Sequence, residues 1–149
     1  MSRVSLAIDV GAARIGVARC DGGRVLALPV ETVRVDRYDS HLDRILDLIE
    51  EWEAADIYVG LPLLMSGQEG RAAHMARRFA RRLRAMSGRP VFLVDERLTT
   101  VQAHAALHEA GRAGRTHRSV VDQASAVVLL DHVLDTERRT GEPVGLPVN

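Results

Sequence analysis

The residues best placed for chemistry in this sequence are three acids, each lying where a strand or helix begins or ends. Asp9 closes the apolar run that starts at Val4, Glu96 follows the apolar run 91–94, and Asp122 lies in the first turn of the apolar segment 120–134. Carboxylates placed in this way can converge at one edge of a sheet, where their oxygens suit Mg²⁺ or Mn²⁺. Two such ions would support hydrolysis of a phosphodiester bond. The three acids are therefore candidate catalytic and metal-binding residues.

Each acid also has a purely structural interpretation. Asp9 can accept a hydrogen bond from the turn that follows it, and Glu96 can form an exposed ion pair with the next arginine. The segment Ser119-x-x-Asp122 resembles a helix capping box. The neighbouring Asp95 and Glu96 must point to opposite sides of their strand, so only one of them faces a site.

The hydrophobic periodicity predicts an α/β fold with the element order βββ-α-β-α-β-α-α. The predicted strands are 4–10, 14–20, 24–33, 57–59 and 91–95, and the predicted helices start at Asp39 or Ser40, at Arg71, near Thr100 and at a cap formed by Ser119. The first three strands are joined by short turns and form an antiparallel meander, whereas the later strands pair in parallel through right-handed crossovers. We therefore expect a mixed five-stranded sheet between helices, as one domain over residues 1–136, followed by a flexible tail at 137–149.

Size and composition indicate an ordinary globular domain. The chain has 149 residues, of which 46% are hydrophobic and 27% charged. No apolar run approaches the ~20 residues needed to span a bilayer, and the start of the chain lacks a signal-peptide pattern. The single cysteine, Cys20, argues against a disulfide framework or a zinc site. We expect a cytoplasmic protein without a membrane partner.

The net charge of zero conceals two segments of opposite charge. Residues 31–56 carry nine acids against three arginines, while residues 71–118 carry eleven arginines against three acids. A basic half beside an acidic half favours a polyanionic partner on one face. Aromatic residues make up only 3% of the chain, so duplex or branched nucleic acid is expected rather than plain single strands. The arginines expected to contact it are Arg14, Arg71, Arg77, Arg78, Arg81, Arg97, Arg115 and Arg118.

Several motifs together resemble one protein family. The segment 8–18, Ile-Asp-Val-Gly-Ala-Ala-Arg-Ile-Gly-Val-Ala, resembles the opening of YqgF-type (RuvX-type) proteins, and the later segments 59–63, 67–70, 95–100 and 122–126 match that family in order. The resemblance implies an RNase H-like fold and a nuclease related to Holliday junction resolvases, implicated in maturing the 5′ end of pre-16S ribosomal RNA. It also implies that Asp9, Glu96 and Asp122 are the catalytic, metal-binding carboxylates.

The sequence departs from the family pattern at a few positions. Ala7 stands where glycine is expected and Ala12 where serine or threonine is usual, while Leu64 and Ser66 replace the frequent asparagine and aspartate. The last two leave open the polar contacts of the loop 60–70, whose backbone N–H groups could otherwise take a phosphate. The three acids are intact.

Three functions remain to be weighed. The leading one is a nuclease dependent on Mg²⁺ or Mn²⁺ that acts on structured RNA or branched DNA. The second is a non-catalytic nucleic-acid-binding or ribosome-assembly factor on the same fold, against which the intact acids argue. The third, a nucleotide-binding phosphotransferase, lacks a second lobe and the lysine of a phosphate-binding loop. The sequence leaves open RNA versus DNA and endo- versus exonuclease action, and resolution of a four-way junction would require a symmetric homodimer.

Overall fold

The computed structural model describes residues 3–98 and 117–149, with the side chains of residues 98 and 117–122 outside the description. Its elements, in chain order, are β1 (Val4–Val10), β2 (Arg14–Cys20), β3 (Ala27–Arg34), α1 (Ser40–Glu51), β4 (Ala54–Leu61), α2 (Arg71–Ser87), β5 (Val91–Asp95), a 3₁₀ turn (Glu96–Leu98), α3 (His117–Thr140) and β6 (Leu146–Pro147). The predicted α/β class is confirmed. The helix predicted near Thr100 lies outside the described residues.

One mixed sheet organises the described residues, with strand order β3-β2-β1-β4-β5-β6. The first three strands pair antiparallel as predicted, and β4 and β5 extend the sheet in parallel from β1. In this arrangement β1, β4 and β5 all end at the same edge, so the residues that follow them meet there.

The number of strands and the form of the C-terminal segment differ from the prediction. The segment from Glu137 onward continues α3 as far as Thr140 and then adds β6, antiparallel to β5, with Leu146 opposite Leu93. Among the described residues the sheet therefore has six strands instead of the predicted five, and two residues of the predicted tail, Leu146 and Pro147, pair with β5. Glycines and prolines in this segment indicated a loop, but a two-residue strand on an open sheet edge needs little local propensity.

Helices cover both faces of the sheet, and the alternation along β1 assigns each of its residues to one of them. Leu6 and Ile8 belong to the core beneath α1 and α2, whereas Ala7 belongs to the core beneath α3. Because strand side chains alternate, Asp9 follows Ala7 on the face covered by α3. That helix buries Ala126, Leu129 and Val133 against the sheet, as their spacing predicted.

Of the two predicted helix caps, Asp39 occupies the N-cap position of α1, whereas Ser119 does not occupy that of α3. Helix α3 begins at His117, so Ser119 lies inside the helix and cannot serve as its N-cap. Asp39 precedes α1 in a left-handed conformation but makes no capping hydrogen bond. Its carboxylate pairs with Arg82, while the Asp36 side chain accepts hydrogen bonds from the Tyr38 and Ser40 amides. The turn before α1 is therefore organised by Asp36 rather than by a standard N-cap.

A buried charged group lies at the opposite end of the sheet, where β1 and β4 begin. Asp56, only 5% exposed, accepts hydrogen bonds from Ser5 and Arg3, and Arg24 donates to the Ser5 hydroxyl at 2.7 Å. Arg24 also pairs with Glu137 of α3 at 2.8 Å. Because each buried charge has a partner, this network can tie β1, β4 and α3 together without an uncompensated desolvation cost. Within residues 3–98 and 117–149, no helix is long and apolar enough to cross a bilayer.

Candidate active site

Two of the three predicted acids meet at the edge where the parallel strands end. In the sheet register Ile8 of β1 pairs with Val59 of β4, and Gly60 of β4 pairs with Val94 of β5. Asp9 directly follows Ile8, and Glu96 lies two residues after Val94, so only the end of β4 separates the two acids. Their carboxyl groups are hydrogen-bonded to each other, although the two residues are 87 positions apart in the sequence.

Gly60 provides the space in which these carboxyls meet. A Cβ atom built on Gly60 would lie 2.0 Å from Oε1 and 2.7 Å from Cδ of Glu96. Those separations are far shorter than any van der Waals contact, so the Glu96 carboxyl occupies the volume that a side chain at position 60 would fill. A glycine inside a strand marks such close approaches. Sequence reasoning considered Gly60 only as part of a phosphate loop and missed this role.

The contact between the two acids is reflected in the protonation of Glu96. The pKa of Glu96 is raised to about 8, mainly by burial and further by the charge of Asp9, the hydrogen bond to it and the charge of Asp95. Near neutral pH the pair therefore shares a proton, with Glu96 as donor and Asp9 as acceptor. A cation between the two groups would replace that proton, because it favours both ionised forms.

The neighbouring carboxyl of Asp95 has a different environment. Asp95 accepts hydrogen bonds from the Arg97 backbone N–H at 2.9 Å and from its guanidinium Nη2 at 2.8 Å. The side-chain hydrogen bond from Arg97 lowers the pKa of Asp95 against the opposing effect of burial. Consecutive acids at the end of β5 thus differ: Glu96 is held against Asp9, and Asp95 is engaged by an arginine.

The backbone places Asp122 near the same level of the sheet. Gln123, the next residue in α3, donates a hydrogen bond through Nε2 to Thr32 Oγ1 of β3 at 3.0 Å. Thr32 pairs with Gly16 of β2, and Gly16 pairs with Asp9 of β1, so the three residues form one row across the sheet. The Asp122 backbone therefore lies at the level of Asp9, on the face of the sheet that carries Asp9; its side chain is outside the described part.

The donor set suits a hard divalent cation but is incomplete among the described side chains. Asp9 and Glu96 supply carboxylate oxygens, the ligands that Mg²⁺ and Mn²⁺ prefer. Within residues 3–98 and 123–149, no three His, Cys, Asp or Glu side chains cluster closely enough to hold a metal ion. The pair is therefore two thirds of the predicted triad, and any ion held there would need a further ligand from Asp122, water or substrate.

Comparison with known proteins places the chain in a family. A protein-family model described as RuvX, Holliday junction resolvase, matches residues 3–136. This chain belongs to the RuvX family. Relatives named "Putative pre-16S rRNA nuclease" include one from Thermobifida fusca, 54% identical over 95% of this chain and 93% of the relative. Another, from Nocardioides sp., is 52% identical over 95% and 94%, respectively.

The fold also matches a solved structure. A Thermus thermophilus RuvC in complex with Holliday junction substrate superposes with a TM-score of 0.62, covering 97% of this chain and 99% of RuvC at 18% identity. At that identity the match concerns the fold alone, and it confirms the predicted RNase H-like architecture.

The predicted nucleic-acid-binding arginines of this RuvX protein have unlike environments. Arg71, Arg78 and Arg81 are exposed on α2, whereas Arg77 forms a bidentate pair with Glu69, both contacts at 2.7 Å. The remaining members of the set also differ: Arg97 pairs with Asp95, Arg14 is half-buried at the start of β2, Arg115 lies outside the described residues and the Arg118 side chain is likewise outside. Within α2, Arg77 and Arg82 are thus already paired with Glu69 and Asp39, whereas Arg71, Arg78 and Arg81 are exposed.

The role of Gly60 leads to a first prediction. Gly60→Ala should fold with little loss of stability but force the Glu96 carboxyl away from Asp9, because the new Cβ takes its place. Since an altered support of a ligand weakens metal binding by about 10–100-fold, Mn²⁺ affinity measured by calorimetry should fall by that factor. The matched control is Gly23→Ala, whose Cβ would meet no atom closer than 3.4 Å. Unchanged Mn²⁺ affinity in Gly60→Ala would show that the space at Gly60 has no bearing on the site.

The shared proton leads to a second prediction. Because the folded-state pKa of Glu96 is about 8 against an ordinary 4.5, the folded protein binds this proton more tightly than the unfolded chain. Its contribution to stability is complete below pH 4.5 and is lost as the pH rises through 8. In a chelator, Glu96→Gln should therefore gain stability over the parent as the pH rises from 4.5 to 8, by up to about 1.4 kcal/mol per pH unit in urea unfolding. As a control, Glu142→Gln changes an exposed carboxylate, and its free energy of unfolding should follow that of the parent at every pH. If the free energy of unfolding of Glu96→Gln had the same pH dependence as that of the parent, the shared proton would be refuted.

Proposed function

We propose that this protein is a divalent-metal-dependent nuclease that hydrolyses phosphodiester bonds in structured nucleic acid, with the 5′ end of the pre-16S rRNA precursor as its principal substrate. The observation that carries the proposal is the contact between the Asp9 and Glu96 carboxyls at the edge where β1, β4 and β5 end. An acid pair of this kind is costly to maintain unless it binds a cation or performs proton chemistry.

The proposed roles of the three acids follow from their positions. Asp9, Glu96 and Asp122 would hold the metal, as two Mg²⁺ or Mn²⁺ ions in the complete enzyme. Bound there, such ions supply Lewis-acid stabilisation of the charge that develops on the phosphodiester. Asp9 is fixed by its strand pairing with Gly16, and Glu96 is fixed by the first turn after β5. Both side chains are thus carried on rigid elements, which favours a preorganised site.

The exposed arginines of α2 supply a surface for the nucleic acid backbone. Arg71, Arg78 and Arg81 follow one another at helical spacings of seven and three residues, and all three are exposed. The opposite side of the helix is buried through Ala73, Ala76, Phe79, Ala80 and Leu83. Like charges along one strip repel one another, and phosphates running along it would relieve that repulsion. The strip starts at Arg71, where α2 begins after the loop that follows β4.

The identity of the substrate is proposed from the relatives. Two relatives with more than half of their residues identical to this chain are named for pre-16S rRNA, which favours the ribosomal RNA precursor over branched DNA. The family description and the RuvC complex refer to the Holliday junction, so branched DNA is the necessary comparison. Cleavage of a four-way junction would additionally require a symmetric homodimer, because two strands must be cut.

Cleavage by matched variants tests this proposal. The purified protein with Mn²⁺ should cut a pre-16S rRNA 5′ precursor in preference to a four-way DNA junction, a plain duplex and single-stranded RNA. Asp9→Asn, Glu96→Gln and Asp122→Asn should each lower the rate at least about hundredfold, because each removes a charge that stabilises the transition state. Asp95→Asn changes the adjacent carboxyl, which is paired with Arg97. Its cleavage rate should stay within a few-fold of the parent rate.

Three outcomes would contradict the proposal or part of it. Equal cleavage by Asp9→Asn would identify a contaminating nuclease as the source of activity. An Asp95→Asn defect as large as that of Glu96→Gln would remove the distinction between the two acids. Tight RNA binding without any cleavage by the parent protein would favour a non-catalytic assembly factor.

A further inference from the structure

The loop between β4 and α2 carries an apolar tip that is exposed in the described part of the structure. Met65 is 93% exposed and Leu64 is 54% exposed, whereas the neighbouring Leu63 packs against the core. Turn positions of this kind are normally taken by glycine, proline, asparagine, aspartate or serine. A long apolar side chain at the tip is therefore not explained by the requirements of the turn.

The loop is held in one conformation by its own contacts. Leu63 and Glu69 form an antiparallel bridge, and the amides of Leu64 and Gly67 donate to the carbonyls of Gln68 and Leu64 at 2.9 and 2.8 Å. Gly67 has a φ of 88°, which a residue with a side chain adopts only at a cost. The tip of the loop is consequently presented as a fixed projection, because both sides of the turn are hydrogen-bonded.

The base of the loop is tied to charged groups on both sides. The Glu69 carboxylate accepts two hydrogen bonds from Arg77 of α2, each 2.7 Å long. On the other side, a Cβ placed on Gly67 would lie 3.3 Å from Nη1 of Arg97, so the loop lies against the guanidinium that follows Glu96. Both arginines are paired with carboxylates, Arg77 with Glu69 and Arg97 with Asp95, while the exposed Arg71 follows the loop directly. The surroundings of the apolar tip are thus charged and include an exposed cation, which suits a polyanion better than a lipid or an apolar protein surface.

We infer that Met65, supported by Leu64, is a wedge that inserts between stacked bases of the substrate and unstacks a base step near the bond to be cut. The inference rests on the proposed nuclease function for the identity of the ligand. Leucine and methionine side chains are among those that proteins insert between base steps, where they kink the duplex. The exposed arginines of α2, of which Arg71 directly follows the loop, would hold the neighbouring phosphates while the tip enters the stack.

The position of the loop limits where the wedge can act. Five residues separate Met65 from Gly60, which lies directly beside Glu96. Even a fully extended chain of that length spans at most ~18 Å, or about five base-pair steps along a duplex. The affected base step must therefore lie within about five steps of the scissile phosphate.

Fluorescence of 2-aminopurine tests the wedge independently of cleavage. The probe is an oligonucleotide duplex, made both as RNA and as DNA, with 2-aminopurine placed in turn at each position within about five steps of the cleavage site. Binding of Asp9→Asn protein, followed by anisotropy, should raise the fluorescence severalfold at one position. Met65→Ser on the same background should abolish the rise and Met65→Leu should retain it. Met86→Ser, which changes a methionine that is 51% exposed at the far end of α2, should leave it intact.

Cleavage kinetics provide the second readout. Met65→Ser should lower kcat/KM about tenfold on the paired substrate, because unstacking then has to occur without help. The defect should disappear on a substrate with an abasic site or mismatch at the responding position. The inference is overturned if bound protein produces no fluorescence rise at any position, if Met65→Ser produces the same rise as the parent, or if Met65→Ser only disrupts a homodimer in sedimentation. Failure to cleave with a normal fluorescence response would instead count against the proposed nuclease function alone.

Discussion

The fold brings two acidic groups into contact where water would ordinarily separate them. Like charges at hydrogen-bonding distance cannot both stay ionised without a counter-charge, so the Asp9–Glu96 pair must hold either a proton or a cation. The raised pKa of Glu96 describes the first of these states. Much of the surrounding architecture can be understood as the means of keeping these groups together.

Three features of the sheet maintain this contact. Parallel pairing of β1, β4 and β5 brings their carboxyl ends to one edge, and the absence of a side chain at Gly60 leaves room between the outer two. The pairing of Asp95 with Arg97 holds the adjacent carboxyl in a separate interaction. On the opposite edge, the network around Asp56 fixes β1 and β4 relative to α3. The sheet is thus anchored at one edge and carries its reactive groups at the other.

The other helical layer provides the complementary charge. Helix α2 follows β4 through the hydrogen-bonded loop 62–70 and covers the face of the sheet opposite to the one that carries Asp9. Some of that charge is already balanced, because Arg77 and Arg82 pair with Glu69 and Asp39. These pairs attach the loop and the start of α1 to α2, and the other exposed arginines of the helix remain directed to solvent. Structural and binding roles are therefore divided among arginines that look alike in the sequence.

Much of this arrangement was predictable from local patterns, and the remainder required the order of the strands. The face occupied by Asp9 followed from alternation along β1, and the strand and helix types followed from hydrophobic periodicity. The function of Gly60 could not be predicted from local patterns, because it depends on the placement of β4 between β1 and β5. The pairing of Arg82 with Asp39 joins residues 43 positions apart, and β6 forms in a segment whose glycines and prolines favour loops. Long-range contacts of this kind leave no local signal.

The most direct measurement is the position of Mn²⁺ in crystals of the full-length protein, located by its anomalous scattering. An ion is expected within about 2.0–2.2 Å of one carboxylate oxygen from Asp9 and one from Glu96, with the hydrogen bond between the two carboxyls broken. Saturating Mn²⁺ that binds elsewhere while the two carboxyls keep their shared proton would contradict a metal centre at this edge of the sheet.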